Sequence, residues 1–427
     1  MMGTIALLTG GVGGPLIFLL VGLYLTFATG GVQFRRFPAA IIGVFSPKKQ
    51  ENGLSPRRAL LISLGAVMGP GNLIGVAAAV AYGGPGAVFW MCLSGVIGMA
   101  LRFSETSLAA RFRPLAGDGM VGVMRAGLHA PILAAFFAVA GTLTSFVMAD
   151  LTSSGVLAVS LQNACGLPPL LTCFLLTLMM LPVLLGGKKR IASVSPILIS
   201  GVTVLYFLLS TLIFLRAPDE AAAALGTIFS NAFDFRAAAF GFLPAAVCQG
   251  IAKGIYSNEC GIGSEPSISA ACEDIPPARQ GETAMLGPFL DTVVFCSLSG
   301  ILCVMSGESR PEKMLSSVFA RFYPHFGALF IEIILVLLVY TTLISWYFPG
   351  ESFARCGFGE KFLPLYRAGY LLLPLLAPQF DLPTLYVLCD LAVALMAFPS
   401  LTAILLLSPE VIRLSFRGAE CGTRRRR

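Results

Sequence analysis

Apolar residues run along this chain in long unbroken blocks separated by short polar stretches, without the alternation of a half-buried strand or the stripe of a surface helix. Each block is about 20 to 25 residues, the length a helix needs to cross a bilayer. The blocks fall near 11–30, 57–82, 86–110, 131–160, 166–186, 191–215, 237–272, 281–305, 325–348, 362–379 and 383–413, and they predict an all-α polytopic membrane protein of about eleven transmembrane helices. Two of them are interrupted. The second packs Gly69, Pro70 and Gly71 at mid-depth with Asn72 beside them. Pro70 removes an N–H and crowds the preceding turn, and the glycines add backbone freedom, so this helix is expected to open halfway. The seventh carries Ser257, Asn258, Glu259, Gly261, Gly263, Ser264, Glu265 and Pro266 in a stretch that must be compatible with lipid. Opened backbone survives in hydrocarbon only where it is buried in protein or lines a polar cavity. There its carbonyls and half-helix ends hold ions and charged solutes.

Composition agrees: 56% of residues are hydrophobic, 12% are charged and the mean hydropathy is +0.84. A soluble domain carries about 25% charged residues. The net charge of +7 does not signal nucleic acid, because of where the cations fall. Twenty-two of the 29 lysines and arginines lie in alternate loops, five (Arg216, Arg236, Arg310, Lys313, Arg321) in the opposite loops, and Arg102 and Lys253 within spans. This bias puts the C-terminus and the 31–56 loop in the cytoplasm and the N-terminus outside. The second and seventh spans then start on opposite sides, and each opens a block of five. That is the layout of an inverted five-plus-five repeat with a site between two discontinuous helices, preceded by one extra helix.

Several further residues stand out. VQFRRFPAAIIGVF after Gly30 has the mixture of an interfacial segment. Arg102 and Glu105 lie one helical turn apart and are expected to pair. Asp150 is an ionisable group near mid-bilayer that should face the bundle interior and find a partner. The sixth span reads as plain aliphatic packing, and Gly226 to Phe242 predicts a short surface helix. Span nine brings Thr341, Thr342, Ser345 and Trp346 to its middle, while Glu332 near its outer end is expected to be solvated. Asp291 and Asp390 are buried-span carboxylates with no role readable from their surroundings. The eleven cysteines lack a CxxC pair and read as packing residues. His129 and His325, near opposite faces, leave no base or metal cluster for an intramembrane hydrolase, so an enzyme is not expected.

Six stretches in order, GPGNLIGV from Gly69, GGPGAVFWMC from Gly83, GGKKRIA from Gly186, YSNECGIGSEP from Tyr256, RQGETAMLGPFLDT from Arg279 and TTLISWYFPGE from Thr341, make the chain resemble the alanine or glycine:cation symporter family. These are sodium-coupled amino-acid carriers of the inverted-repeat fold first seen in LeuT. The resemblance implies a secondary transporter of the bacterial cytoplasmic (inner) membrane, importing alanine or glycine with sodium by alternating access, with Na+ as coupling ion and no prosthetic group. It implies partners that are a small amino acid, sodium and the lipid bilayer. Carried over by position, Gly69, Gly71, Asn72, Tyr256, Asn258, Ile262, Thr342 and Trp346 surround the substrate, with Asp150 at the place of a polar amide. Thr341 and Thr342, with the carbonyls of Gly65 and Met68, match a sodium site. Half-helix N-termini near Gly71 and Gly263 would offer N–H groups to the substrate carboxylate. The implied organisation is 1–56 as extra helix and cytoplasmic segment, 57–215 and 216–413 as the two repeats, and 414–427 as a basic cytoplasmic tail.

Four places depart from the family pattern: Pro70 replaces a threonine, Glu265 an alanine and Asp150 the amide, and GDGMVGV at Gly117 to Val123 stands where the family has GGPMYYI. The added carboxylates leave three chemistries open: neutralising a cationic substrate group, a proton relay, or a second cation site. The bland alternative is that each pairs with Lys253 or Arg102, or sits in a watery vestibule. Altered specificity or proton coupling, and a transport-dead sensor or channel of the same fold, are the competing functional readings.

Overall fold

A computed structural model describes residues 13–45, 55–116, 119–233, 244–269, 272 and 275–423. The described part is all helical. The first apolar block forms α1 (Gly13–Ala28), and after a glycine turn the expected interfacial piece forms Val32–Arg35 and α2 (Phe37–Phe45). That piece is anchored: Arg36 meets Glu282 at 3.6 Å, and Phe37 packs edge-on to Phe289 with ring centroids 4.8 Å apart. The second block is interrupted as its sequence requires. α3 (Pro56–Val67) stops, a tight turn covers Pro70–Asn72, and α4 (Ile74–Gly83) resumes.

Next come α5 (Ala87–Ala116), then one long span built of α6 (Pro131–Thr144), a π-helical stretch (Ser145–Thr152) and α7 (Ser153–Cys165), then α8 (Pro169–Leu185) and α9 (Gly187–Arg216). The surface helix expected within 226–242 overlaps α10 (Pro218–Ala232), which begins earlier, started by a proline at its first turn with Asp219 and Glu220 beside it; residues 234–243 lie outside the described residues. The second interrupted helix is α11 (Ala245–Asn258), followed after seven irregular residues by Pro266–Ser269. A further span joins α12 (Pro277–Ala284), a π-helical stretch (Phe289–Cys296) and α13 (Ser297–Ser306). The amphipathic helix α14 (Pro311–Phe322) buries Met314, Leu315, Val318 and Phe319 and was not anticipated, although that spacing is helical. α15 (Gly327–Phe358), α16 (Leu363–Leu372) and α17 (Leu382–Leu406) complete the bundle.

The last block ends earlier than 413. Pro409 cannot continue a helix interior, so the chain turns at Leu407 and restarts as α18 (Ser408–Thr423), which takes in most of the expected tail. Among the described residues six helices are long and apolar enough to cross a membrane, and α1, α4 and α8 are shorter apolar helices. Large apolar side chains such as Leu20, Phe27, Phe207 and Phe398 point outward, where lipid would cover them.

The core of the bundle is the packing of α11 along α5. Small residues allow the approach. A methyl group added at Gly250 would lie 2.4 Å from the Ala87 carbonyl, closer than any real contact. Ten cysteines among the described residues are free, and seven of them are buried as packing residues.

Candidate functional site

The two interruptions meet, and a single carboxylate joins them. Asp291, in the π-helical stretch of the span after α11, is fully buried. Its Oδ1 accepts from Asn72 Nδ2 of the first break at 2.6 Å, and its Oδ2 accepts from Ser257 Oγ of the second at 2.8 Å and from Thr292 Oγ1 at 2.7 Å. Asn72 also closes its own turn, accepting from the Gly69 N–H at 3.0 Å. Its side chain is therefore committed to holding the break open in one shape, and Cys296 Sγ lies 3.3 Å from the same amide nitrogen. A carboxylate with three donors is a stable way to keep charge in an apolar interior.

The second break is capped from α5. Gly261 and Gly263 adopt φ of +79° and +80°, a left-handed backbone that suits residues without a Cβ, and Glu259 takes φ +52°. The Arg102 guanidinium donates to the Asn258 carbonyl at 2.6 Å, at the C-terminal end of α11, and pairs with Glu105 at 2.9 Å. Glu105 in turn accepts from the Gly263 N–H at 3.1 Å. A cation thus faces the negative end of one half-helix, and an anion takes up an N–H at the far side of the break. The expected Arg102–Glu105 pair forms, but its work is structural, and the Gly263 N–H expected to face a substrate is already used.

Around these breaks lie the other positions expected to surround a substrate. The Tyr256 ring rests on Gly71, about as close as a Cβ there could tolerate at 3.0 Å. Trp346 is fully buried and donates Nε1–H to Glu259 at 2.8 Å, while Ser264 Oγ donates to the other oxygen of that carboxylate at 2.9 Å. Asn258, the last residue of α11, and Ile262, in the break itself, are buried, with Asn258 Oδ1 accepting from the Cys260 N–H at 3.0 Å. Glu259 is the residue sequence reasoning undervalued: it was one polar letter among eight, and only the fold gives it Trp346 as a partner.

The four positions expected to hold sodium divide unequally. Thr342 Oγ1 lies 3.3 Å from the Met68 carbonyl, at the open end of α3. Ser345, one turn along α15, abuts Gly65 and shares a 2.7 Å hydrogen bond with Ser195 of α9. Thr341 instead donates to Leu338 of its own helix at 2.9 Å. The sixth span is thus not plain aliphatic packing, since Ser195 reaches the site; a serine before a proline in an apolar run gave no signal. The Met68 carbonyl and the hydroxyls of Thr342, Ser345 and Ser195 are neutral, hard oxygens, a donor set that suits a small monovalent cation. No cluster of His, Cys, Asp and Glu able to hold a transition metal occurs among the described residues.

The departing carboxylates do not pair with Lys253 or Arg102. Lys253 sits over the rings of Tyr386 and Tyr256, beside Asp390, and Arg102 is taken by Glu105. Glu265 accepts from Thr106 Oγ1 at 2.5 Å and from Ser269. Asp150 is fully buried but lacks the partner expected for it, and no hydrogen bond among the described residues joins it to the breaks. Glu332 is half-buried rather than solvated, accepting from Ser160 at 2.9 Å, because α15 begins at Gly327 and carries it inward.

Comparison with known proteins points one way. The profile described as "Sodium:alanine symporter family" matches residues 5–417. The chain is 32% identical over 422 residues to the sodium/alanine symporter AgcS of Methanococcus maripaludis, covering 93% of both chains. It is 31% identical over 409 residues to a probable sodium/glutamine symporter of Bacillus subtilis strain 168, covering 92% of this chain and 85% of that one. Among solved structures, MhsT in complex with L-phenylalanine superposes with a TM-score of 0.54 at 16% identity, over 86% of this chain and 100% of that one, which is a likeness of fold.

Proposed function

The chain belongs to the sodium:alanine symporter family, whose members are membrane transporters and not enzymes, and on that premise we propose that it imports alanine or glycine together with sodium by alternating access. The observation that carries this reading is the meeting of two interrupted helices at Asp291, beside a cluster of neutral oxygens at the open end of α3. Broken helices joined at mid-bilayer serve as a binding site, and a site fixed between two halves of a bundle can face either side as those halves rock. In this reading eleven spans form an extra helix and an inverted five-plus-five repeat, at 1–56, 57–215 and 216–413. The cation-rich loops and the 414–427 segment face the cytoplasm, and the N-terminus lies outside.

The residues divide the work by chemistry. The Met68 and Gly65 carbonyls with Thr342 and Ser345 would hold sodium, supplying charge neutralisation for a substrate carboxylate beside them. That carboxylate would sit toward Gly69 and Gly71 at the N-terminal end of α4, where the helix dipole favours an anion. Tyr256, resting on Gly71, and Trp346, fixed by Glu259, would bound the side-chain space and favour small substrates.

The primary test is a thermal-shift screen of the purified protein against the twenty amino acids with and without sodium, followed by uptake into proteoliposomes under a sodium gradient. Stabilisation by alanine or glycine only with sodium, and uphill accumulation, are expected. Conductance without accumulation would make the protein a channel, and binding without flux a sensor. Thr342→Ala is expected to reduce sodium-dependent uptake about tenfold or more, an effect worth about 1.4 kcal/mol of ion binding. Thr341→Ala, whose hydroxyl faces Leu338 of its own helix rather than the Met68 carbonyl, is expected to retain most of it. Equal effects of the two substitutions would remove Thr342 from the ion site.

A further inference from the structure

Two of the spans contain π-helical stretches of eight residues, and each carries one fully buried aspartate. Such stretches are rare and cluster at functional sites. The two aspartates are treated in opposite ways. Asp291 receives donors from Asn72, Ser257 and Thr292, whereas neither oxygen of Asp150 has a hydrogen-bond partner. No ion pair reaches Asp150 either among the described residues. The chain therefore shows that it can supply donors to a buried carboxylate where a charge is to be kept, and it does not supply them here.

An ionised carboxylate with no donor and no counter-charge is too costly to keep in an apolar interior, so this group is neutral in the packed arrangement and carries a proton. Its neighbours are suited to that. The titratable groups within its field are the hydroxyls of Tyr366 and Tyr370 on α16 and the thiol of Cys173 on α8. α15 and α17, which also pack on this stretch, carry Tyr347 and Glu351, and Tyr386, Cys389 and Asp390; none of these is hydrogen-bonded to Asp150, and the Leu373–Gln379 segment packed beside them carries no titratable side chain. Tyr370 OH is fixed to the Leu343 carbonyl at 2.8 Å, next to Thr342, and Tyr366 OH shares a 3.2 Å bond with Ser145, on the same π-helical stretch as Asp150. Tyr347 packs on both rings, with centroids 6.0 and 5.6 Å away, and lies one turn before Glu351. Glu351 in turn pairs with the half-exposed Arg367 at 3.4 Å. A file of tyrosines thus leads from Ser145, on the same stretch as Asp150, toward a solvent-facing ion pair at the Arg355–Arg367 end of the bundle.

We propose that Asp150 is a proton-binding site of the transport cycle, loaded when α15, α16 and the Ser145–Thr152 stretch are packed as they are here and emptied to water when those elements part. The O–H bond of the carboxyl breaks on opening, the proton passes to water entering along the tyrosines, and reloading reverses the step. Because Tyr370 ties α16 to α15 beside Thr342, the same separation would disturb the ion site, which couples the proton to sodium and substrate. The idea rests on the transporter reading above but is separable from it.

The test uses full-length protein in proteoliposomes with a trapped pH-sensitive dye. With sodium held equal on both sides, addition of the transported amino acid is expected to give a lumenal pH change in the wild type, and sodium-driven uptake is expected to vary with external pH. Asp150→Asn preserves the shape of a protonated carboxyl. It is expected to reduce the dye signal to that of protein-free vesicles and flatten the pH profile, while sodium-dependent exchange of labelled for unlabelled substrate continues. Asp150→Leu, checked for folding by its melting temperature with sodium, is expected to behave the same way. A wild-type dye signal and pH profile in Asp150→Asn would overturn the proposal. Loss of exchange along with the proton signal in both variants would also overturn it, making Asp150 a packing residue. Absence of any amino-acid flux in the wild type would instead overturn the transporter reading.

Discussion

Replacing Asp291 with alanine is expected to abolish sodium-driven uptake and to lower the melting temperature of the purified protein more than any other single polar substitution at the breaks. The reason is the number of groups it leaves stranded. Asn72 Nδ2, Ser257 Oγ and Thr292 Oγ1 all donate to this one carboxylate in a fully buried setting. Each buried donor left without an acceptor costs about 1–3 kcal/mol, and a new cavity adds to that. Two of the three donors belong to different interrupted helices, so the loss also removes the tie that fixes one break against the other. Asp291→Asn separates the two consequences. The amide keeps the volume and one acceptor oxygen but turns an NH2 toward donors, so melting is expected to recover partly while uptake stays low. Uptake near wild type in Asp291→Asn would mean that the breaks hold their relative position without this carboxylate.

How much of this was legible in the chain depends on whether the signal was local. Gly69, Pro70 and Gly71, and the polar run from Ser257 to Pro266, conflict with the apolar blocks around them, so both interruptions announced themselves in the chain. The Arg102–Glu105 pair was legible for the same reason, being one turn of one helix. Partners across the bundle were not. Asp291 lies 219 residues from Asn72, and nothing near it distinguishes it from Asp150, yet one is fully bonded and the other bare. Ser195 and Ser345 reach Gly65 only because α9 and α15 pack on α3 there. That the Gly263 N–H is taken by Glu105 was not legible either, because that side chain comes from α5. Element ends were least legible where a proline in a turn decides them, as at Pro218, Pro311 and Pro409.

The capping of the second break gives the other large effect. Arg102→Met removes the counter-charge of Glu105 and the donor to the Asn258 carbonyl, both fully buried. Breaking a buried pair by removing one partner costs about 3–5 kcal/mol, most of it from the charge left behind. A marked fall in melting temperature and loss of uptake are therefore expected. Glu105→Gln is expected to be milder, because the amide oxygen still accepts the Gly263 N–H. The informative variant combines Arg102→Met with Glu105→Leu. It leaves no stranded charge, so its melting temperature is expected to rise above that of Arg102→Met alone, a coupling that a double-mutant cycle measures directly. Uptake is nevertheless expected to stay lost, because the Asn258 carbonyl and the Gly263 N–H no longer have the groups that set the spacing of the break. A double variant that melts no higher than Arg102→Met would show that the pair is not what stabilises this region. One that recovers uptake would show that α5 does not position the break.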